Sequence, residues 1–130
     1  MWAYFTIEEF RCKGVDCCGG ANLMQHDFVT KVDQLRKNLG EPLRVVSGYR
    51  CPTHNQRVSS TGPRGPHTTG RAVDLACSGA FALELLEEAI ASGRFTGYGL
   101  RQHGAHESRF IHLDDLRAPQ HAPRPWVWTY

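Results

Sequence analysis

Residues 67–77 constrain the fold more than any other part of this chain. The segment 71–77 alternates, which predicts a β-strand in which Asp74 shares its face with two alanines. These small neighbours leave space for an ion beside the carboxylate. His67 lies in the loop just before the strand, and Gly70 allows the chain to turn between them. We therefore expect the histidine and the aspartate to point to one place.

A second histidine, His112, lies in the strand predicted over 109–114, which pairs with residues 97–100 across a polar loop. Two histidines and one aspartate are the ligand types of a catalytic zinc site, which uses three protein ligands and keeps one position open for water. Bound zinc lowers the pKa of such a water to about 7 and polarises a carbonyl group. Spacing alone leaves open that these histidines are ordinary surface or core residues.

The remaining elements favour a single α+β domain over residues 1–130, with helices packed on a largely antiparallel sheet. The segment 1–23 is a cysteine- and glycine-containing N-terminal segment, and 24–130 forms the catalytic core. Apolar residues predict amphipathic helices over 26–39 and, with Ser78 as the cap, up to about Ser92. Other predictions are a capped turn at 6–10, a strand at 43–47, a loop at 51–66 with one helical turn, and a final strand at 126–130.

The buried face predicted for the helix over 78–92 comprises five apolar residues. They are Phe81, Leu85, Leu86, Ala89 and Ile90. The alternating end of the chain places Trp126, Trp128 and Tyr130 on one strand face, where core or lid packing is the first expectation and a substrate platform the second.

Composition excludes several classes of protein. The net charge is only +2, which gives no electrostatic case for binding nucleic acid or an anionic membrane. No signal peptide is visible, and no apolar run approaches the ~18 residues of a membrane span. We expect a monomer that is cytoplasmic as synthesised and that reaches the cell wall if it is phage-encoded or exported.

The chain has five cysteines, an odd number that argues against a fully paired disulfide framework. A pairing of Cys51 with Cys77 stays open. Cys12, Cys17 and Cys18 lie in a glycine-bounded loop and raise the alternative of a structural metal site. That site lacks an obvious fourth ligand in the sequence, so free thiols or one disulfide are the preferred interpretation.

Four segments occur in a characteristic order: Ser-Gly-Tyr-Arg-Cys-Pro at 47–52, then Asn55, then His-Thr-Thr-Gly-Arg-Ala-Val-Asp at 67–74, then Phe-Ile-His-Leu-Asp at 110–114. The combination closely resembles the zinc D-alanyl-D-alanine carboxypeptidase family, which shares a fold with the hedgehog signalling domain and lysostaphin-type peptidases. The similarity covers about residues 24–128.

The resemblance implies that His67, Asp74 and His112 bind one catalytic Zn²⁺. It also implies that Arg50 binds a substrate carboxylate or stabilises the oxyanion, for which a guanidinium fork is suited. The alternative for Arg50 is a structural salt bridge that supports its turn.

The general base is the open question. Many relatives carry an acidic residue three positions before the last histidine, where this chain has Arg109. Asp114 is the first candidate because it shares a strand face with His112, and Glu107 is the second. Asp114 is also a candidate for a partner that orients the ligand histidine.

The expected function is hydrolysis of an amide bond in the peptide stem of bacterial peptidoglycan, as a carboxypeptidase or an endopeptidase of the endolysin type. A bacteriophage lysis or tail-associated enzyme fits, and a bacterial gene remains an alternative. The competing hypothesis is an inactive zinc-fold binding or structural module, hedgehog-like or part of a virion, which the arginine at 109 favours.

Overall fold

A five-stranded mixed sheet crosses the molecule in the computed structural model, which describes residues 1–121 and 123–130. The neighbouring strands are antiparallel, except that the last strand runs parallel to its neighbour. The predicted α+β class with a largely antiparallel sheet is confirmed. In sheet order, the strands are β1 (Val45–Ser47), β2 (Ala72–Ala76), β4 (Phe110–Asp114), β3 (Gly97–Arg101) and β5 (Trp126–Thr129).

Three α-helices accompany the sheet: α1 (His26–Leu39), α2 (Pro52–Val58) and α3 (Gly79–Ser92). The predicted bounds of α1 are confirmed. Helix α3 starts directly after its predicted cap, Ser78, and ends at Ser92 as predicted, although the Ser78 side chain makes no capping hydrogen bond. A glycine with positive φ follows each of these two helices, as is common at helix ends. None of the helices in residues 1–121 and 123–130 is long and apolar enough to cross a membrane.

The hydrophobic core lies between the sheet and helices α1 and α3. On the core face of the sheet, Val73 is opposite Leu113 and Leu75 is opposite Ile111. The buried face of α3 differs from the prediction at two residues, because Ile90 is 57% exposed and Ala82, which was not predicted, is buried. Phe28, Ala82, Leu85 and Ala89 complete this part of the core.

The helical turn expected within 51–66 is present as α2, but the open loop predicted for the rest of this segment was wrong. This segment contains α2 and the 3₁₀ helix Gly62–Arg64, and a further 3₁₀ helix, Pro66–Thr69, begins at its end. Cys51 caps α2 because its sulfur accepts the backbone N–H of His54, and the proline that follows is suited to the first helical position. The Pro, Ser, Thr and Gly content reflected several helix starts rather than an open loop.

The N-terminal segment packs against the rest of the core. The predicted turn is a 3₁₀ helix, Ile7–Phe10, in which the Glu9 carboxylate accepts the backbone N–H of Thr6. Phe10 is fully buried, and its carbonyl oxygen accepts the backbone N–H of Tyr49 at 2.8 Å. The segment therefore supports the turn that follows β1.

Candidate metal centre and its cleft

Strand register brings two of the three selected side chains together. Asp74 on β2 lies directly opposite His112 on β4, so both side chains project from the same face of the sheet. His67 comes from the 3₁₀ helix that precedes β2. The Oδ1 atom of Asp74 lies 3.1 Å from His112 Nδ1 and 3.2 Å from His67 Nε2, and the two nitrogens are 3.2 Å apart.

These three atoms fit a zinc ion in donor type and in spacing. Ligands about 2.0–2.1 Å from a tetrahedral zinc are about 3.3 Å from one another. All three side chains are buried, with 2–4% of the residue surface exposed. Buried nitrogen and oxygen donors at such spacing form a candidate metal centre.

The outer nitrogen of each histidine is held by a neighbour. His67 Nδ1 lies 2.7 Å from the carbonyl oxygen of Gly48, which can only accept, so this nitrogen carries the proton. His112 Nε2 lies 2.8 Å from Asp114 Oδ2 and donates to it in the same way. Each ring therefore presents its lone pair to the centre of the site, as metal-binding histidines do.

The contacts of Asp114 favour the orienting role over the role of general base. Its carboxylate is fully buried and accepts two hydrogen bonds of 2.9 Å from Arg124, besides the one from His112. Although burial opposes ionisation, these partners lower the pKa of Asp114 to about 2. A carboxylate with so low a pKa is a weak proton acceptor at neutral pH.

Burial and neighbouring charges shift the pKa values of the three side chains in different directions. Burial opposes ionisation of Asp74, but the facing histidines hold the pKa of this carboxyl well below its usual range. Burial lowers the pKa of His67. For His112, the hydrogen-bonded Asp114 and Asp74 outweigh burial and raise the pKa. The centre is therefore arranged around one ionised carboxylate.

Arg50 connects the turn after β1 to the metal centre. Its Nη2 lies 3.2 Å from Asp74 Oδ2, its Nη1 donates to Asn55 Oδ1 at 3.1 Å, and its Nε donates to Ser47 Oγ at 2.9 Å. A guanidinium has five N–H donors, so these contacts position the group and leave donors for a substrate. The salt bridge considered as the alternative is present, and it also places the guanidinium beside the proposed ligand.

Two glycines on β3 provide room for the groups around His112. A Cβ atom on Gly99 would lie 2.6 Å from the indole nitrogen of Trp128, and one on Gly97 would overlap the Asp114 carboxylate. Because Gly99 lacks a side chain, the indole lies across the strand, with its ring centroid 5.0 Å from that of His112.

The metal centre opens into a cleft of about 830 Å³. Its wall includes Trp126 and Tyr130, which are 53% and 54% exposed, so the aromatic end of β5 lies on the cleft rather than in the core. The Nε atom of Arg101 is buried without a hydrogen-bond partner among the described residues. The cleft is cationic: its charged lining comprises Arg50, Arg64, Arg101 and Arg124 against Asp74.

The loop before β4 does not supply a base to this cleft. Glu107 is exposed in the short helix His106–Ser108 and does not line the cleft. Arg109 turns away and donates to the carbonyl oxygen of Gly104. His121 does line the cleft, and sequence reasoning missed it together with Arg101 and Arg124. Only the strand alternation of 97–101 could have indicated Arg101.

The family model described as peptidase M15 matches residues 3–114. The chain belongs to this family. Its members are zinc-dependent metallopeptidases, in agreement with the donor set of His67, Asp74 and His112. The match includes the N-terminal cysteines and ends before β5, whereas the sequence resemblance was placed at about 24–128. No curated protein and no solved structure matches the chain.

Proposed function

We propose that this M15 peptidase hydrolyses an amide bond in the peptide stem of peptidoglycan, as a D-alanyl-D-alanine carboxypeptidase or a related endopeptidase. The observation that carries the proposal is the convergence of three ligand atoms within 3.1–3.2 Å on the wall of a cleft of about 830 Å³. A cleft of that size encloses a short peptide.

His67 Nε2, Asp74 Oδ1 and His112 Nδ1 would hold the zinc ion. Zinc supplies Lewis-acid activation of a water nucleophile and of the substrate carbonyl. Gly48 and Asp114 hold the two rings by hydrogen bonds, so the ligand geometry exists before substrate binds.

Arg50 binds the negative charge of the substrate. Its contacts with Ser47, Asn55 and Asp74 hold the guanidinium plane at the cleft wall. A fixed fork of N–H donors suits the terminal carboxylate of a peptide or the oxyanion that develops during amide hydrolysis. The other arginines of the cleft favour an anionic ligand, and stem peptides carry carboxylates.

Proton transfer is assigned to His121, the imidazole on the cleft wall outside the ligand group. Histidine is the most frequent general acid–base group. Sequence reasoning preferred Asp114 and then Glu107 as the general base. The Asp114 carboxylate is hydrogen-bonded to Arg124 and His112, and Glu107 is exposed outside the cleft, so we do not assign the base to either. Asp114 takes the orienting role that the sequence had left open.

The test is mass spectrometry of purified peptidoglycan digested by the wild-type chain and by the His67→Ala variant. We expect loss of D-alanine or of a cross-link from wild-type digests, abolished by a chelator and absent with the variant. The masses of the products identify the bond. His103→Ala, at an exposed loop histidine, is the matched control and should cleave as wild type does.

The alternative function is an inactive zinc-fold binding module, which would bind peptidoglycan without cleaving it. It is favoured by Arg109, which stands at the position where many relatives carry an acidic residue. Zinc-loaded protein that sediments with peptidoglycan but releases no fragment would support that module and contradict the peptidase. His121→Ala separates the base assignments: it should lower kcat, whereas Glu107→Ala should leave kcat unchanged.

A further inference from the structure

Four cysteine thiols converge outside the cleft. Cys12, Cys17 and Cys18 come from the N-terminal loop, and Cys51 comes from the start of α2, 39 residues after Cys12. The four sulfur atoms all lie within 4.8 Å of one another. The Sγ atoms of Cys12 and Cys17 are 4.0 Å apart, and those of Cys17 and Cys18 are 3.7 Å apart.

These separations match a shared ion better than a disulfide. A disulfide joins two sulfurs at about 2.05 Å. Four thiolates about 2.3 Å from a tetrahedral zinc are about 3.8 Å from one another. All five cysteines are free thiols, and Cys77 lies outside the group.

The backbone around the group is arranged as in a thiolate site. The N–H of Cys51 points at Cys12 Sγ at 3.5 Å, and the N–H of His54 points at Cys51 Sγ at 3.3 Å. Such N–H donors stabilise negative charge on sulfur and orient the ligand. Cys12 and Cys51 are buried, with 0% and 5% of their surface exposed, so the group has a closed inner side.

Contacts on both sides hold the loop against the rest of the molecule without the cysteines. The Lys13 ammonium donates to the carbonyl oxygen of Val45 at 2.8 Å, and Arg57 donates to that of Val15 at 2.8 Å. The N–H of Cys12 also donates to Ala21 at 2.9 Å, which closes the loop. The four thiols are thus brought together by the fold itself.

We propose that Cys12, Cys17, Cys18 and Cys51 bind a second, structural Zn²⁺ as a complete tetrahedral set of four thiolates. Four sulfur ligands in this geometry select zinc or iron, and a closed shell without a water position is typical of structural zinc. Binding replaces four S–H bonds with four Zn–S bonds and releases four protons to solvent. The zinc and sulfur oxidation states do not change.

The second ion would fasten the N-terminal loop to the turn that builds the metal centre. Cys51 follows Arg50 directly, and Gly48 of the same turn holds His67. The thiolate site therefore fixes the turn that carries Arg50. Loss of this site should reduce thermal stability more than it reduces peptidase activity.

Zinc counting by inductively coupled plasma mass spectrometry, on protein purified with zinc and a reductant, tests the proposal. Wild type should hold two zinc ions per chain. The double variant Cys17→Ser, Cys18→Ser should hold one, and His67→Ala should hold one that an organomercurial thiol reagent releases. Cys77→Ser is the matched control and should hold two, because Cys77 lies outside the group of four sulfur atoms.

Cobalt substitution provides a readout that does not depend on folding of the cysteine variants. The His67→Ala chain loaded with Co²⁺ should show intense sulfur-to-cobalt charge-transfer absorption in the near ultraviolet. One zinc in wild type, lost in His67→Ala and unaffected by the cysteine substitutions, would overturn the proposal. So would iron in place of zinc, or a cobalt spectrum without thiolate bands. None of these outcomes depends on peptidase activity, so failure of the proposed function is seen separately.

Discussion

The two groups of ligand-type side chains in residues 1–121 and 123–130 differ in donors and in access. His67, Asp74 and His112 offer nitrogen and oxygen atoms on the wall of a large cleft. The group of Cys12, Cys17, Cys18 and Cys51 offers four sulfur atoms, and none of these residues lines the cleft. Three donors with an open side suit catalysis, and four donors without one suit a structural role.

One short turn contributes residues to both groups. Within residues 47–51, the carbonyl of Gly48 holds His67, Arg50 contacts Asp74, and Cys51 enters the cysteine group. Substitutions of residues that line the cleft should change activity with little effect on stability. Substitutions on the cysteine side should do the reverse. The following predictions test that division on the cleft side, from the largest effect to the smallest.

Asp74→Ala should have the largest effect. It removes the one carboxylate of the metal centre, and a Lewis acid contributes several kcal/mol to amide hydrolysis, so kcat/KM should fall by about 10³-fold or more. Zinc content and turnover of muropeptides measure it. The zinc ion proposed at the four cysteines, which thiol reagents release, should stay bound. Its loss would show that the two sites are not independent. Asp33→Ala is the acidic control, because Asp33 lies on α1 outside the cleft, where its carboxylate accepts the backbone N–H of Tyr4.

Arg50→Ala should lower kcat/KM by about 10²–10³-fold, the usual effect of removing one oxyanion donor. Arg50→Lys should recover only part of this, because an ammonium lacks the planar fork. Steady-state kinetics on muropeptides measure both variants, with zinc content expected to match wild type. Equal activity of Arg50→Ala and wild type would leave Arg50 with the structural role alone.

Asp114→Asn should reduce zinc affinity or activity by about 10–100-fold, as is typical of partners that orient a ligand histidine. The amide keeps the shape but weakens the acceptor for His112 Nε2 and the pair with Arg124. Zinc titration against a chelator measures the affinity. If Asp114 were the general base, kcat would instead fall at unchanged zinc affinity, and the acidic limb of the pH profile would disappear.

Asp114 should also contribute to acid sensitivity in the metal-free protein. Its pKa is about 2 in the folded chain against an ordinary value of 3.8, so its contribution is present above about pH 4 and is lost as pH falls towards 2. The shift corresponds to on the order of 2 kcal/mol in the free energy of unfolding. Urea unfolding across this pH range measures it. Asp114→Asn should show a flatter dependence, and an identical slope would contradict the assignment.

Arg101→Met should have the smallest effect. Arg101 lines the cleft, so its guanidinium can bind a carboxylate of the substrate. A hydrogen bond to a charged group contributes about 1.5–3 kcal/mol, so KM should rise by about 10-fold or more with kcat little changed. Arg109→Met, outside the cleft, is the control. A fall in kcat alone would contradict a role in binding.

Local patterns predicted much of the fold. The bounds of α1 followed from its apolar period and Gly40, and the pairing of β3 with β4 followed from two alternating runs across a polar loop. The segment 51–66 was misread because capping by Cys51 and several prolines produced short helices where composition indicated a loop. Ile90 was misplaced because periodicity does not show where the facing surface ends.

The candidate site was predictable in its ligands but not in its surroundings. His67, Asp74 and His112 stand in a pattern that a strand and the preceding loop must bring together. The hydrogen bonds from Arg124 to Asp114 could not be predicted from the sequence. Arg124 lies in a proline-rich tail whose path depends on the parallel pairing of β3 with β5. Trp128 reaches His112 only because Gly99 on the strand between them has no side chain.

The α+β class, the family resemblance and the three candidate zinc donors were predictable from the sequence, because they depend on residue identity and short-range spacing. The tertiary structure decided which nitrogen of each histidine faces inward, that Asp114 is occupied by Arg124, and that Cys51 completes the cysteine group. Each of these depends on the packing of segments far apart in the chain. Such contacts are set by the whole core rather than by local pattern.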